Sequence, residues 1–188
     1  MPKGASHAWN MIGRVRMQNG DLEGASTAWE QAHHTTLNHP NPSVLVNLGS
    51  VACQQHDWAK GQYWFNLAWE AYLWNEETQD YTFIEDIGGI IQLNLLRTAV
   101  NLRLPAAADE AWAQVAPTAS TNYPLQQLRP LLDYALWRSG FEGVESLVRL
   151  YENQLPEDST EVVKVLNARP LLFSPWIGSS GWTLERAV

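Results

Sequence analysis

Apolar residues near the N-terminus recur at helical spacing in two stretches that are separated by a turn. Trp9, Ile12 and Val15 lie three residues apart, which is typical of one face of an α-helix. The residues Asn-Gly-Asp at 19–21 stop this helix, because Gly and Asn favour the conformation in which helices end. Apolar positions resume at helical spacing over 22–33. The pattern predicts two antiparallel helices joined by a short turn.

The same arrangement recurs 36 residues further along the chain. A small residue in the first helix, an aspartate in the turn and a large aromatic residue in the second helix all share this offset. These pairs are Gly13 and Gly49, Asp21 and Asp57, and Trp29 and Phe65. The small residue lets the two helices approach, and the aromatic side chain fills the space beside it. Pro42 is expected to start the second pair in its first turn.

Two weaker copies follow the first two. In the third copy Trp112 stands where Trp29 does, after an insertion of about eleven residues, and Pro105 is expected in the turn. In the fourth copy Gly140 is the expected turn glycine. The four copies are predicted near 6–40, 42–74, 89–117 and 125–153. Together with a capping helix at 159–168, which a capping box predicts, they form one domain over 1–168, followed by a Pro/Gly/Trp-containing tail at 169–188.

This pattern resembles the tetratricopeptide repeat, a helix–turn–helix unit of about 34 residues with a Trp-x-x-Leu-Gly start and an Ala, aromatic, Ala series in its second helix. The positions that match are Trp9, Ile12, Gly13, Ala25, Trp29 and Ala32 in the first copy, and Leu48, Gly49, Phe65 and Ala68 in the second. Arg16 and Ala52 replace the tyrosine of the family pattern. The resemblance implies an all-α fold, in which antiparallel helix pairs stack as a short α-solenoid.

The resemblance also implies a concave groove, which the first helices of successive repeats line in this family. The corresponding residues are mostly amides with two arginines: Asn10, Arg14, Met17, Gln18, Asn47, Ser50, Gln54, Asn94, Arg97 and Asn101. Amides can bond to an extended peptide backbone, and the arginines could hold a carboxylate. We therefore expect a protein- or peptide-binding adaptor or assembly module, whose partner is a protein or peptide.

Composition and charge restrict the classes of partner that the chain is expected to bind. The chain has 188 residues, 45% of them hydrophobic, which suffices for a core in one domain. Its net charge of −8 repels phosphate backbones, so nucleic acid is not an expected partner. No apolar stretch approaches the ~20 residues of a membrane helix and no signal peptide is visible, so we expect a cytoplasmic protein without membrane insertion. An exported protein whose leader had been removed would look the same.

Residues that could carry chemistry have simpler explanations. Cys53 is the single cysteine and is expected to be a small packed residue. His33 and His34 are neighbours at a helix end, where histidine is favourable, and they point in different directions. The acidic residues over 76–86 favour a solvated loop or a docking surface for a basic partner. We therefore expect no catalytic residue, metal or cofactor, and a protein that is not an enzyme.

Some alternatives remain open at this point. The chain could be a regulatory or sensor segment of a larger bacterial regulator, or, less favoured, an enzyme of an unfamiliar helical fold. Trp58, Trp64 and Trp74 are not required by the repeat, so they either fill gaps between helices or contact a partner. A stack with an aromatic-rich end could also form a homodimer.

Overall fold

The structure is a computed structural model, and it describes residues 4–36, 38–78, 87–115, 130–131 and 133–140. Every regular element within these ranges is a helix, which confirms the predicted all-α class for this part of the chain. The elements are α1 (Gly4–Gln18), α2 (Leu22–His34), α3 (Pro42–Gln54), α4 (Trp58–Thr78), α5 (Gly88–Asn101) and α6 (Pro105–Val115), and residues 130–131 and 133–140 are also helical. The predicted capping helix at 159–168, the tail at 169–188 and most of the fourth copy lie outside the described residues.

One type of turn joins α1 to α2, α3 to α4 and α5 to α6. In each turn the backbone N–H of one residue donates over 2.9 Å to the carbonyl five residues earlier; the donors are Asp21, Asp57 and Leu104. The residue before each donor has a positive φ: 78° at Gly20, 62° at His56 and 58° at Arg103. This is the Schellman motif, which satisfies the last carbonyls of the preceding helix. The third turn therefore repeats the geometry of the first two.

Side chains and prolines begin the helices that follow the turns. The Asp21 Oδ1 accepts from the N–H of Gly24 at 2.8 Å, and the Asp57 Oδ1 accepts from the N–H of Lys60 at 3.0 Å. Pro42 is the first residue of α3, as predicted. Pro105 is the first residue of α6 and lies after the turn, not within it, because a residue at the first helical position needs no N–H.

The same glycine–aromatic contact holds each of the first two helix pairs together. A Cβ atom on Gly13 would lie 2.5 Å from the Trp29 Nε1, and one on Gly49 would lie 2.5 Å from the Phe65 Cε1. Both aromatic side chains are fully buried. The offset of 36 residues is thus realised as the same glycine–aromatic contact in both pairs.

The third helix is buried on all sides. Every residue from Pro42 to Cys53 is buried, and the helix packs against α2 and α4. This stretch has no charged residue, and a helix that is apolar all round belongs in a core. Cys53 is buried there, in agreement with its predicted packing role.

The described residues fall into two compact units, with the boundary between Ile91 and Gln92 inside α5. The first unit holds α1 to α4 and the start of α5. The second holds the rest of α5, α6 and the described helical residues up to 140. Each unit has its own buried residues, and those of the second include Leu96, Ala108 and Leu131. No linker composition marks the boundary, because it lies within a helix.

Candidate functional site

Predicted groove residues from the first two copies meet inside the first unit. The Asn47 Nδ2 donates to the Asn10 Oδ1 over 3.4 Å, which joins α3 to α1. The Trp29 Nε1 of α2 donates to the same Asn10 Oδ1 over 2.8 Å and lies 3.2 Å from the Asn10 carbonyl. A buried indole N–H needs such an acceptor. The Asn10 amide therefore ties three helices together.

This amide cluster, formed by Asn10, Trp29 and Asn47, leaves one acceptor without a partner. The Asn47 Oδ1 is buried and accepts no hydrogen bond within the described structure. An unpaired buried polar atom costs about 1–3 kcal/mol. A donor that reached this oxygen, such as a peptide N–H, would recover part of that free energy.

Two more of the predicted groove residues in the first unit are also buried. Met17 belongs to the core, and Ser50 is fully buried, with its hydroxyl donating to the Val46 carbonyl over 2.9 Å. With Asn10 and Asn47, this makes four of the seven residues predicted there inaccessible in this conformation. The sequence template placed them on a ligand-facing side, but here they serve packing.

The other three residues predicted in the first unit reach the surface. Arg14 is half-buried, with its Nη1 3.9 Å from the Met11 Sδ, and Gln18 is exposed. Gln54 is half-buried, and its Nε2 is buried without a hydrogen-bond partner. These three side chains form the accessible edge of the predicted groove in this unit.

In the second unit the predicted groove residues show the same mixture. Asn94 is buried, Arg97 is half-buried and Asn101 is exposed. The Asn101 Nδ2 donates to the Arg97 carbonyl over 2.8 Å. Asn101 is the last residue of α5, just as Gln18 and Gln54 are the last residues of α1 and α3. An amide thus stands at the same register position before each of the three turns.

The second unit also contains a cluster that sequence reasoning did not identify. The Asp109 carboxylate accepts from the Tyr134 hydroxyl and pairs with the Arg138 guanidinium, both at 2.8 Å. The Tyr134 ring stacks on Trp112, with ring centroids 4.5 Å apart. Burial, and next the hydrogen bond to Asp109, raise the pKa of Tyr134. No motif brings these residues together in sequence, since they come from separate helical segments.

Two arginines of this unit lie near one tryptophan. The guanidinium carbon of Arg103 is 5.5 Å from the centroid of the Trp137 ring, and that of Arg138 is 5.7 Å from it. Both distances are in the range of cation–π attraction. Arg103 reaches the ring from the positive-φ position of its turn, where Gly20 stands in the first copy. In the sequence, the one signal that could have identified Arg103 is that it shares the turn position of Gly20.

In the first unit, α2 and α4 run parallel. The Lys60 Nζ lies 3.9 Å from the Glu30 Oε1, and one turn further along both helices the His33 and Trp64 rings meet edge to face at 5.7 Å. Both partners advance in the same chain direction, which defines the parallel orientation. The pKa of His33 is lowered, first by burial and then by the neighbouring His34.

The three tryptophans that the repeat does not require all contact a histidine. Trp64 lies against His33, Trp74 lies 5.2 Å from His39, and Trp58 lies 6.4 Å from His56, measured between ring centroids. Each of these tryptophans therefore has a histidine ring as a neighbour within the chain. Trp74 also remains exposed, so it is accessible to a partner.

Neither metal-binding side chains nor similarity to known proteins indicates the function. Among the described residues, no three His, Cys, Asp or Glu side chains are placed so that they could hold a metal ion. In the same part of the chain, no helix is both long and apolar enough to cross a membrane. No protein-family model, curated protein or solved structure matches the chain. Its function must therefore be inferred from its own residues and their geometry.

Proposed function

We propose that the chain is a protein- or peptide-binding module of tetratricopeptide-like helix pairs, acting as an adaptor or assembly factor. The observation that carries this proposal is the common turn, in which Asp21, Asp57 and Leu104 make the same backbone hydrogen bond. Helix pairs with one turn geometry repeat one structural unit, and stacks of such units present extended binding surfaces.

The contacts between the first two pairs support the proposal. First helix meets first helix at Asn10 and Asn47, and second helix runs parallel to second helix at Glu30–Lys60 and His33–Trp64. Successive units of a helical stack need these two relations, since each unit contacts its neighbour through like elements.

The accessible groove edge favours a peptide that carries a carboxylate. Arg14 offers a guanidinium, which binds carboxylates through charge-assisted hydrogen bonds. Gln18 and Gln54 offer amides that can both donate to and accept from a peptide backbone. The unpaired Asn47 Oδ1 would accept a peptide N–H, but only in a conformation that exposes this side chain.

Peptide selection with the whole chain tests the proposal. Peptides with free C-termini are selected from a random library, and their affinities are measured by fluorescence anisotropy for wild type, Arg14→Glu and Lys60→Glu. Lys60 is the matched control, because it undergoes the same charge reversal on α4, where its exposed pair with Glu30 contributes little.

We expect Arg14→Glu to weaken the binding of the selected peptides by about tenfold or more, which corresponds to ~1.4 kcal/mol of binding free energy. Lys60→Glu should leave the affinity nearly unchanged. If no peptide binds, or if the two variants lose affinity equally, the groove edge is not the binding site and the proposal fails.

A further inference from the structure

One face of α1 is exposed and mostly apolar. It contains every residue of the helix within about a third of its circumference, and its members are Ala5, Ala8, Trp9, Ile12, Val15 and Arg16. We refer to these residues as the α1 face. Its three large apolar side chains retain much of their surface: 36% for Trp9, 39% for Ile12 and 51% for Val15. Contiguous apolar surface of this kind marks interaction sites.

The equivalent face of α3 is covered. With the offset of 36 residues, Trp9, Ile12 and Val15 correspond to Leu45, Leu48 and Val51. Each of these three α3 residues is only 1% exposed, and α3 packs against α2 and α4. The fold thus buries this face of a first helix where neighbouring helices are present, and leaves it open in α1.

A second exposed face lies on α4, in the same unit. Its members share one side of the helix and are Tyr63, Asn66, Glu70, Leu73, Trp74 and Glu77. We refer to them as the α4 face. Tyr63 is 56% exposed, Leu73 48% and Trp74 38%. The α4 face therefore offers a second exposed apolar surface in the first unit.

Charge distinguishes the partners that the α1 face could accept. The helix α1 has no acidic residue, and the charged member of its face is Arg16. The α4 face has Glu70 and Glu77 and no base. Contact between two α1 faces would offer Arg16 no opposite charge, whereas contact between an α1 face and an α4 face pairs opposite charges at the rim of an apolar centre.

We propose that the α1 face of one copy of this chain docks on the α4 face of a second copy. If the second copy returns the same contact, a two-fold dimer forms in which both exposed faces are covered at once. Trp9 and Ile12 then pack against Leu73 and Trp74, and Arg16 lies near the glutamates of the α4 face. This dimer does not depend on peptide binding in the groove.

Sedimentation equilibrium on the whole chain tests the dimer, with three variants that each introduce one glutamate at an exposed apolar position. Ile12→Glu alters the α1 face, Leu73→Glu alters the α4 face, and Leu136→Glu is the matched control. Leu136 is 49% exposed and belongs to neither face. Circular dichroism verifies that each variant keeps the helix content of wild type.

Wild type and Leu136→Glu are expected to approach twice the chain mass of 21.2 kDa as concentration rises. Ile12→Glu and Leu73→Glu should each weaken self-association by about tenfold or more, because a charge enters an apolar contact. An equimolar mixture of these two variants should associate more strongly than either alone, since the pair can form one unaltered α1–α4 contact. A monomeric wild type overturns the proposal. So does a Leu73→Glu variant that dimerises like wild type, a result that would assign the α1 face to itself.

Discussion

The indole N–H of Trp29 donates to the side-chain oxygen of Asn10 across the α1–α2 interface, at 2.8 Å. The same oxygen accepts from the Asn47 amide of α3. One asparagine that the repeat pattern places on a binding surface is therefore a structural link between three helices. The two groups that donate to the Asn10 oxygen are buried, so loss of this side chain would leave buried polar groups unpaired and lower the stability of the fold.

Asn10→Ala is expected to destabilise the first unit by about 1–3 kcal/mol, because the Asn47 amide loses its acceptor and the indole keeps only the weaker backbone contact. Urea unfolding followed by tryptophan fluorescence measures the change. Gln31→Ala, at an exposed position of α2, is the control and should stay within about 0.5 kcal/mol of wild type. In a Trp29→Phe background, Asn10→Ala should lower the free energy of unfolding by less. An equal loss in both backgrounds would show that Asn10 and Trp29 do not stabilise the fold through their hydrogen bond.

Gly49→Ala is expected to destabilise the α3–α4 pair by about 1–3 kcal/mol, since its new methyl group would meet the Phe65 ring at 2.5 Å. Gly4→Ala is the control, because nothing lies within 4 Å of its Cβ position. That control should be neutral or slightly stabilising, as alanine favours helices. Replacing Phe65 by Leu should restore part of the loss in the Gly49→Ala chain, and thermal unfolding of the four proteins measures it.

The helix pairs were predictable because their signals are local. Gly13 and Trp29 lie in one short segment, and their spacing recurs unchanged at Gly49 and Phe65. Which face of each helix is buried was less predictable, because a repeat template does not say which neighbours a helix has. Asn47 was assigned to a ligand surface although α3 lacks any charge, a sign that the helix is buried all round.

Contacts between distant helices could not be predicted. Asp109 and Tyr134 meet through the packing of separate segments, and no spacing rule relates them. The sequence indicates a third turn at Pro105, but not the left-handed conformation of Arg103 before it, because arginine seldom adopts that conformation and the first copy has glycine at this position. The proposed groove remains a prediction in both units.

His56→Gly is expected to stabilise the chain by up to about 1 kcal/mol, because glycine adopts a φ of 62° without the strain that a side chain adds. Arg103→Gly relieves the same strain at a φ of 58°, but it also removes the cation–π contact with Trp137. Its net gain should therefore be smaller. Chemical denaturation of both variants compares them. An equal gain at the two turns would mean that the Arg103–Trp137 contact contributes no more than the His56–Trp58 ring contact, which His56→Gly removes.

The stability of the first unit is expected to fall as the solution becomes acidic, because burial against Trp64 lowers the pKa of His33 below its ordinary value of 6.5. A base whose pKa is lower in the folded state binds its proton first in the unfolded state. The contribution of His33 is thus fully present above pH 6.5 and is lost as the pH falls through the lower folded-state pKa.

His33→Gln should flatten this pH dependence, since glutamine does not titrate. His7→Gln, at an exposed position of α1, is the control and should leave the dependence of wild type in place. Urea unfolding at a series of pH values from 8 down to 5, which brackets the ordinary pKa of histidine, gives the free energy of unfolding for each protein. If His33→Gln and His7→Gln have the same pH profile, the acid sensitivity does not arise at the His33–Trp64 contact.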